Sequence, residues 1–224
     1  MIVVLGSRHD PVATALVARW PQAALCSAED LVRPGWHWPA GGEAGAARWV
    51  VDGRVVDDDA VRGVFVRRAT VHAQELQTTH PADRAYLAEE AHAFLVFVLA
   101  RTRARVANPV VDGAFGDAAL RPERWMAVAA RCGLAPVPPR LCNGAPPRAP
   151  GWSPVLADAV AGACFGPLPA RRKAAVVATL AALGLRWARF VFDGGHRLRT
   201  ITTAAAPGDE ATAALGRLLM GAPA

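Results

Sequence analysis

The feature that most constrains this chain is its opening, Ile2-Val3-Val4-Leu5 followed by Gly6-Ser7-Arg8-His9-Asp10-Pro11. A short β-branched run predicts a buried strand, and Asp-Pro predicts a helix start, because Asp caps free N–H groups and Pro suits the first helical position. A helix over about Pro11 to Trp20, with Val12, Leu16 and Val17 inward, then leads to a second strand near Ala23 to Cys26. A parallel, Rossmann-like α/β beginning follows. The loop of residues 33 to 47 carries Trp36-His37-Trp38 among prolines and glycines, and its aromatics are expected to fold back on the domain.

Trp49-Val50-Val51, Asp52-Gly53 and Arg54-Val55-Val56 read as a hairpin, since Asp-Gly supplies the positive φ angles of a type I′ turn. Val64-Phe65-Val66 is a further strand ending in Arg67-Arg68. A long helix is predicted from Pro81 to about Arg103, with acidic residues toward its start and arginines at its end, the order that suits the helix dipole. Arg121 to Cys132 is a second amphipathic helix, stopped at Gly133. Val137 to Leu141 is extended, and the prolines between Asn143 and Pro154 mark a linker. Ala170 to Leu183 is a helix, Arg186 to Phe192 and Leu198 to Thr202 are strands around the turn Asp193-Gly194-Gly195, and Glu210 to Leu219 is the last helix.

At 224 residues, 53% hydrophobic and 20% charged, the chain has the composition of a folded protein able to build a core without disulfides or metal. No apolar run approaches the roughly 20 residues that span a bilayer, and the N-terminus lacks a basic leader, so the reading is cytoplasmic with no membrane contact. Cys26, Cys132, Cys142 and Cys164 stand far apart without ligand spacing and read as free thiols. No metal site is expected. The formal charge of +6 is uneven: residues 1 to 123 hold 13 basic and 15 acidic residues, and the rest 12 and 4. Such asymmetry permits an anionic partner without requiring one. Lys173 is the one lysine among 25 basic residues, so no mechanism that needs two ammonium groups on phosphates operates here in its usual form.

Val64-Phe65-Val66-Arg67-Arg68, a long helix with Ala88-Glu89-Glu90, Asn108-Pro109, then Ala119-Leu120-Arg121-Pro122-Glu123-Arg124, an alanine-rich helix, Gly133-Leu134 and Pro138 come in the order of the ATP-grasp proteins. The chain resembles a degenerate, shortened member of that family, nearest the RimK-like branch whose graspetide ligases close ester and amide rings in ribosomal peptides. Leu180 through Asp193 resembles the family's helix and strand before its metal-binding strand. The resemblance implies an α/β fold in two parts: a Rossmann-like pre-ATP-grasp domain over residues 1–109, and a truncated α+β lobe over residues 110–224 with the proline-rich linker at about 143–154.

Several positions depart from the family pattern. Arg121 stands where the family has its first phosphate-binding lysine, and the strands expected to carry the second lysine and a glycine-rich loop find no room before Ala170. The strand that would bear Glu-x-Asn reads Leu198-Arg199-Thr200-Ile201-Thr202-Thr203, with threonine at both magnesium-ligand positions and Arg199 beside them. Asp193 is placed as a ligand, yet its Gly-Gly neighbours favour a turn. Magnesium asks for near-octahedral oxygen donors anchored by carboxylates, which this strand lacks.

The resemblance and its departures imply a protein that has lost ATP-dependent ligation and works by binding, as an accessory subunit for a peptide or protein partner in natural-product biosynthesis. Its candidate ligand residues are Arg67, Arg68, Glu89, Glu90, Asn108, Arg121 and Arg199, the arginines offering bidentate forks to carboxylate or phosphate. No catalytic residue is assigned and no cofactor is expected. A structural alternative has Arg67 and Arg68 paired with Glu89 and Glu90 in an internal cluster. A functional alternative retains ATP and magnesium, with Arg121 and Arg199 in place of lysines, or reuses the cleft for acid–base chemistry through Glu89, Glu90 or a histidine. Nucleic-acid binding through Arg171-Arg172-Lys173 ranks last, and self-association stays open.

Overall fold

The structure is a computed structural model that describes residues 1–39, 47–108, 110–111, 113–138 and 153–222. The chain is mixed α/β and divides into two compact units, Met1–Ala119 joined by the end of the chain from Gly216, and Leu120–Leu215.

In the first unit, β1 (Ile2–Leu5), β2 (Ala23–Cys26), β5 (Gly63–Val66) and β6 (Arg105–Val106) form a parallel sheet in the order β2-β1-β5-β6. All four residues of β1 and of β5 are buried, as continuous apolar runs in a sheet covered on both faces should be. On one face Val3, Leu5, Val64 and Val66 join a core with Leu95, Val98 and Leu99 of α3 (Arg84–Arg101). On the other, Phe65 meets Trp20 edge to face, with ring centroids 5.9 Å apart.

Trp20 closes α1 (Pro11–Arg19), which starts as expected: Asp10 caps it by accepting from Val12 N at 2.9 Å, and Pro11 takes the first position. Ala13 and Leu16 are the buried residues of α1, while Val12 and Val17 are only half-buried.

The hairpin of β3 (Arg48–Val51) and β4 (Arg54–Asp57) turns through Asp52 at φ 49° and Gly53 at φ 72°, the left-handed pair of a type I′ turn. Asp30, on the short helix α2 (Ala28–Leu31), is fully buried and holds that turn by accepting from Gly53 N at 2.9 Å. Its other oxygen accepts from Ser27 N and Oγ, both at 2.8 Å. Trp36 and Trp38 do fold back, packing on the buried Trp49.

The second unit holds an antiparallel sheet in the order β10-β9-β7-β8, made of β7 (Val155–Val160), β8 (Ala163–Phe165), β9 (Trp187–Phe192) and β10 (Leu198–Thr202). Its core joins Ala157, Ala159, Phe190, Phe192, Leu198 and Ile201 to Trp125 and Val128 of α4 (Pro122–Arg131) and to Val176 and Leu180 of α5 (Ala170–Ala182). The chain ends in α6 (Asp209–Met220).

Two strands, β7 and β8, do fit before Ala170, and neither carries the second lysine of the family pattern. Ala161 at φ 33° and Gly162 at φ 101° make the two-residue turn between them. The linker expected at about 143–154 lies almost wholly outside the described residues, as do Cys142, Asn143 and Gly144.

Candidate functional site

In the parallel sheet, β2 and β5 lie on opposite sides of β1, so the chain leaves the carboxyl ends of β1 and β5 at a topological switch point, where open α/β sheets bind ligands. The residues that follow those ends converge there. Arg67 donates from Nε to Asp10 Oδ2 at 3.0 Å and from Nη2 to Oδ1 at 3.4 Å. Arg68 turns the other way. Its Nη2 donates to the Gly6 carbonyl at 2.7 Å, and Nη1 and Nη2 each reach a Glu75 oxygen at 3.3 Å. Glu75 also accepts from His72 N at 3.1 Å.

Gly6 sits in a crowded spot, where a Cβ would stand 3.0 Å from the Ala13 Cβ, tight enough that a neighbour would have to shift, and 3.5 Å from that of Arg67. Both guanidinium side chains are nearly closed to solvent, at 7% for Arg67 and 5% for Arg68. Burial pushes the Asp10 carboxyl up, but the hydrogen bond and charge of Arg67, with the Val12 and Ala13 N–H groups, outweigh it and hold the group below its ordinary range. Asp10 therefore stays ionised. Arg68 Nε is buried without a hydrogen-bond partner, and an orphaned charged N–H is costly unless something accepts from it.

This geometry corrects the expected pairing of Arg67 and Arg68 with Glu89 and Glu90. Those glutamates are exposed on α3, whose inward face is Ala88, Ala91 and Leu95, and they make no ion pair among the described residues. The arginines instead take Asp10, brought alongside by β1–β5 pairing, and Glu75, seven residues on. Asn108, just after β6, is buried in the same unit. Arg121 is exposed and precedes α4, where its carbonyl accepts from Arg124 N and Trp125 N, both at 3.1 Å. Arg199 lies on β10 in the second unit. The structure thus brings Arg67 and Arg68 together and places Glu89, Glu90, Arg121 and Arg199 in other settings.

In the second unit, Asp193 follows β9 and is buried, at 5% exposure. Its Oδ1 accepts from Arg197 N at 2.8 Å, and its Oδ2 accepts from Arg197 Nε and Arg199 Nε, each at 3.0 Å. The Arg197 N–H is the foremost cause of its lowered pKa; the two guanidiniums add to it and burial opposes. A magnesium ion would have to displace two cations from this carboxylate, and the neighbouring β10 positions offer Thr200 and Thr202 rather than carboxylate or amide. Among the described residues no three His, Cys, Asp or Glu side chains are grouped to hold a metal. This donor set does not fit magnesium or the magnesium complex of a nucleotide.

On the same sheet Asp158 and Arg189 stand directly opposite each other in β7 and β9. Arg189 Nε and Nη2 meet the two Asp158 oxygens at 2.7 and 2.8 Å, and Gly208 N donates to Oδ2 at 2.7 Å. Sequence reasoning missed this pair, and Glu75 as well. The charge of Asp158 inside an alternating apolar run was the available signal for the first; nothing in the sequence pattern marked the second. Cys26, Cys132 and Cys164 are free, as expected. Burial pushes the thiols of Cys26 and Cys164 up, away from nucleophilic thiolate. No helix among the described residues is long and apolar enough to cross a membrane.

No protein-family model and no curated protein matches the chain. Solved structures do. The macrocyclase MdnC of Microcystis aeruginosa, bound with precursor peptide MdnA, aligns at a TM-score of 0.72 and 11% identity over 99% of this chain and 100% of that one. A RiPP-associated ATP-grasp ligase of Chryseobacterium gregarium, in complex with ADP and a leader and core peptide, aligns at 0.65 and 9% identity over 97% and 96% of the two chains. The ATP-grasp ligase PsnB, complexed with minimal precursor, Mg and ADP, aligns at 0.63 and 14% identity over 91% and 89%. At such identities the likeness is one of fold: this chain has the fold of these macrocyclase and ATP-grasp ligase structures.

Proposed function

We propose that this chain is an ATP-grasp-like protein that no longer ligates and that serves peptide natural-product biosynthesis by binding a peptide or protein partner. The observation that carries this reading is the state of Asp193, whose two oxygens are taken up by Arg197, just before β10, and by Arg199 on β10, the strand that bears threonines where magnesium ligands are expected. Residues 1–109 act in this reading as a pre-ATP-grasp domain of Rossmann type, and residues 110–224 as the reduced ATP-grasp lobe.

Binding is assigned to the switch-point cluster. Arg67 and Arg68 hold the Asp10 and Glu75 carboxylates in place, and these carboxylates, each 19% exposed, are the groups that an N–H or cation of the partner would meet, with Asn108 nearby in sequence to the sheet's last strand. The exposed Glu89 and Glu90 of the same unit supply charge to the partner's rim, where pairs contribute specificity and on-rate more than affinity; Arg121, in the second unit, is by itself an exposed cation open to an anionic group of a partner. Arg199 is assigned to holding Asp193.

The test is calorimetric titration of the full chain with ATP, with and without magnesium, repeated on Arg121→Ala and backed by thermal shift. The proposal expects no magnesium-dependent heat and no stabilisation. Magnesium-dependent ATP binding that disappears in Arg121→Ala would contradict it and restore the ligase reading.

A further inference from the structure

A cleft of about 280 Å³ opens in the first unit at the amino ends of its strands, away from the carboxyl-end cluster of Arg67 and Arg68. Its walls are Asp58, Asp59, Val61, Arg62, Arg103 and Arg105, with Met220 and Gly221 at the end of α6. Three arginines therefore line one small concavity, and strand pairing explains how. Gly63 of β5 is in register with Arg105 of β6, and Arg105 N donates to the Arg62 carbonyl at 3.0 Å. The two arginines are thereby neighbours at the sheet's lower edge.

The acidic residues of the cleft do not neutralise them. Asp58 is buried, with its Oδ1 accepting from Trp49 Nε1 at 2.8 Å and Thr102 Oγ1 at 2.7 Å, and its Oδ2 from Arg103 N at 3.5 Å. That carboxylate belongs to the core beneath. Among the described residues Asp59 pairs only with Arg103, at 3.7 Å, with both side chains more than three-fifths exposed, a pair of little strength. Arg62 and Arg105 take part in no ion pair among the described residues. Gly221, with φ 93°, lies beside the Arg105 guanidinium, where a Cβ would stand 3.8–3.9 Å from it, and the Arg105 residue is exposed.

We infer that Arg62, Arg103 and Arg105 form an anion-binding site for a small ligand bearing a phosphate or carboxylate group. Planar guanidiniums recognise either oxyanion through paired N–H donors. The volume suits a group the size of a phosphate or a small polycarboxylate rather than a folded partner, being at the lower limit of small-molecule sites. The inference is independent of the proposed loss of ligation, because the cleft uses none of the residues on which that reading rests.

The experiment is calorimetry on the full chain at low ionic strength with two probes, inorganic phosphate and citrate. Saturable binding of phosphate alone identifies a phosphate site, of citrate alone a polycarboxylate site, and of both a general oxyanion site. In each case the affinity should fall at least tenfold in Arg62→Ala/Arg105→Ala, recover in part in Arg62→Lys/Arg105→Lys, and rise in Asp59→Asn. The three positions are exposed, and circular dichroism checks that each variant is folded. Absence of saturable binding of either probe to the wild-type chain, or equal affinity in the folded double-alanine variant, overturns the assignment.

Discussion

Replacing Asp158 by alanine should be the most damaging single change in the second unit's sheet. Asp158 is 6% exposed, and the Arg189 side chain opposite it is 18% exposed, so the substitution leaves a guanidinium largely out of water without its counter-ion. Removing one partner of a buried pair costs about 3–5 kcal/mol; the residual water access of Arg189 argues for the lower end, about 3 kcal/mol. The Gly208 N–H, which donates to the same carboxylate at 2.7 Å, loses its acceptor as well, adding about 1 kcal/mol.

Urea unfolding followed by tryptophan fluorescence reads the sum, with an unchanged m-value as the condition for reading it as stability. Asp158→Asn keeps an acceptor for Gly208 and should cost less. Arg189→Ala, made alone and together with Asp158→Ala, should reveal a coupling of about 1–3 kcal/mol. A loss below about 1 kcal/mol in Asp158→Ala, or strict additivity of the two substitutions, would refute the argument that this pair ties β7, β9 and the segment before α6 together.

Two further outcomes follow from the first unit. Folding lowers the Asp10 pKa, so its contribution is complete above the unfolded value of about 4 and is lost as pH falls through the folded value; Asp10→Asn should therefore flatten the acid limb of a stability–pH curve, with wild type and variant converging below it. Gly63→Ala would bring a Cβ to 2.5 Å from the Leu219 Cβ and 2.6 Å from its carbonyl oxygen, and should cost about 1–3 kcal/mol in thermal or urea unfolding. Gly194→Ala, where a Cβ meets nothing within 4 Å, is the matched control and should be nearly silent.

Local chemistry carried much of the fold into the sequence. The Asp10-Pro11 start of α1, the Asp52-Gly53 turn and the Gly133 stop after α4 each depend on one or two residues and appear where the sequence places them. The β7–β8 hairpin was harder to see, because its strands are short and alanine-rich and the turn is Ala161-Gly162 rather than an Asn-Gly or Asp-Gly pair. The candidate site was legible as residue types and not as partners. Arg67 meets Asp10 across 57 positions and Arg68 meets Gly6 across 62; such meetings are set by which strand lies next to which. Pairing Arg67 and Arg68 with Glu89 and Glu90 followed charge alone, whereas burial of the Ala88–Ala91–Leu95 face turns those glutamates outward.

The central claim is that Asp193 is held by arginines and is not a metal ligand, and titration with Mn²⁺ as a paramagnetic stand-in for magnesium, in the presence of ATP, addresses it directly. Water-proton relaxation should report only the manganese–nucleotide complex, the same with wild type, Asp193→Asn and no protein. A saturable enhancement seen with the wild-type chain and abolished by Asp193→Asn would contradict the account.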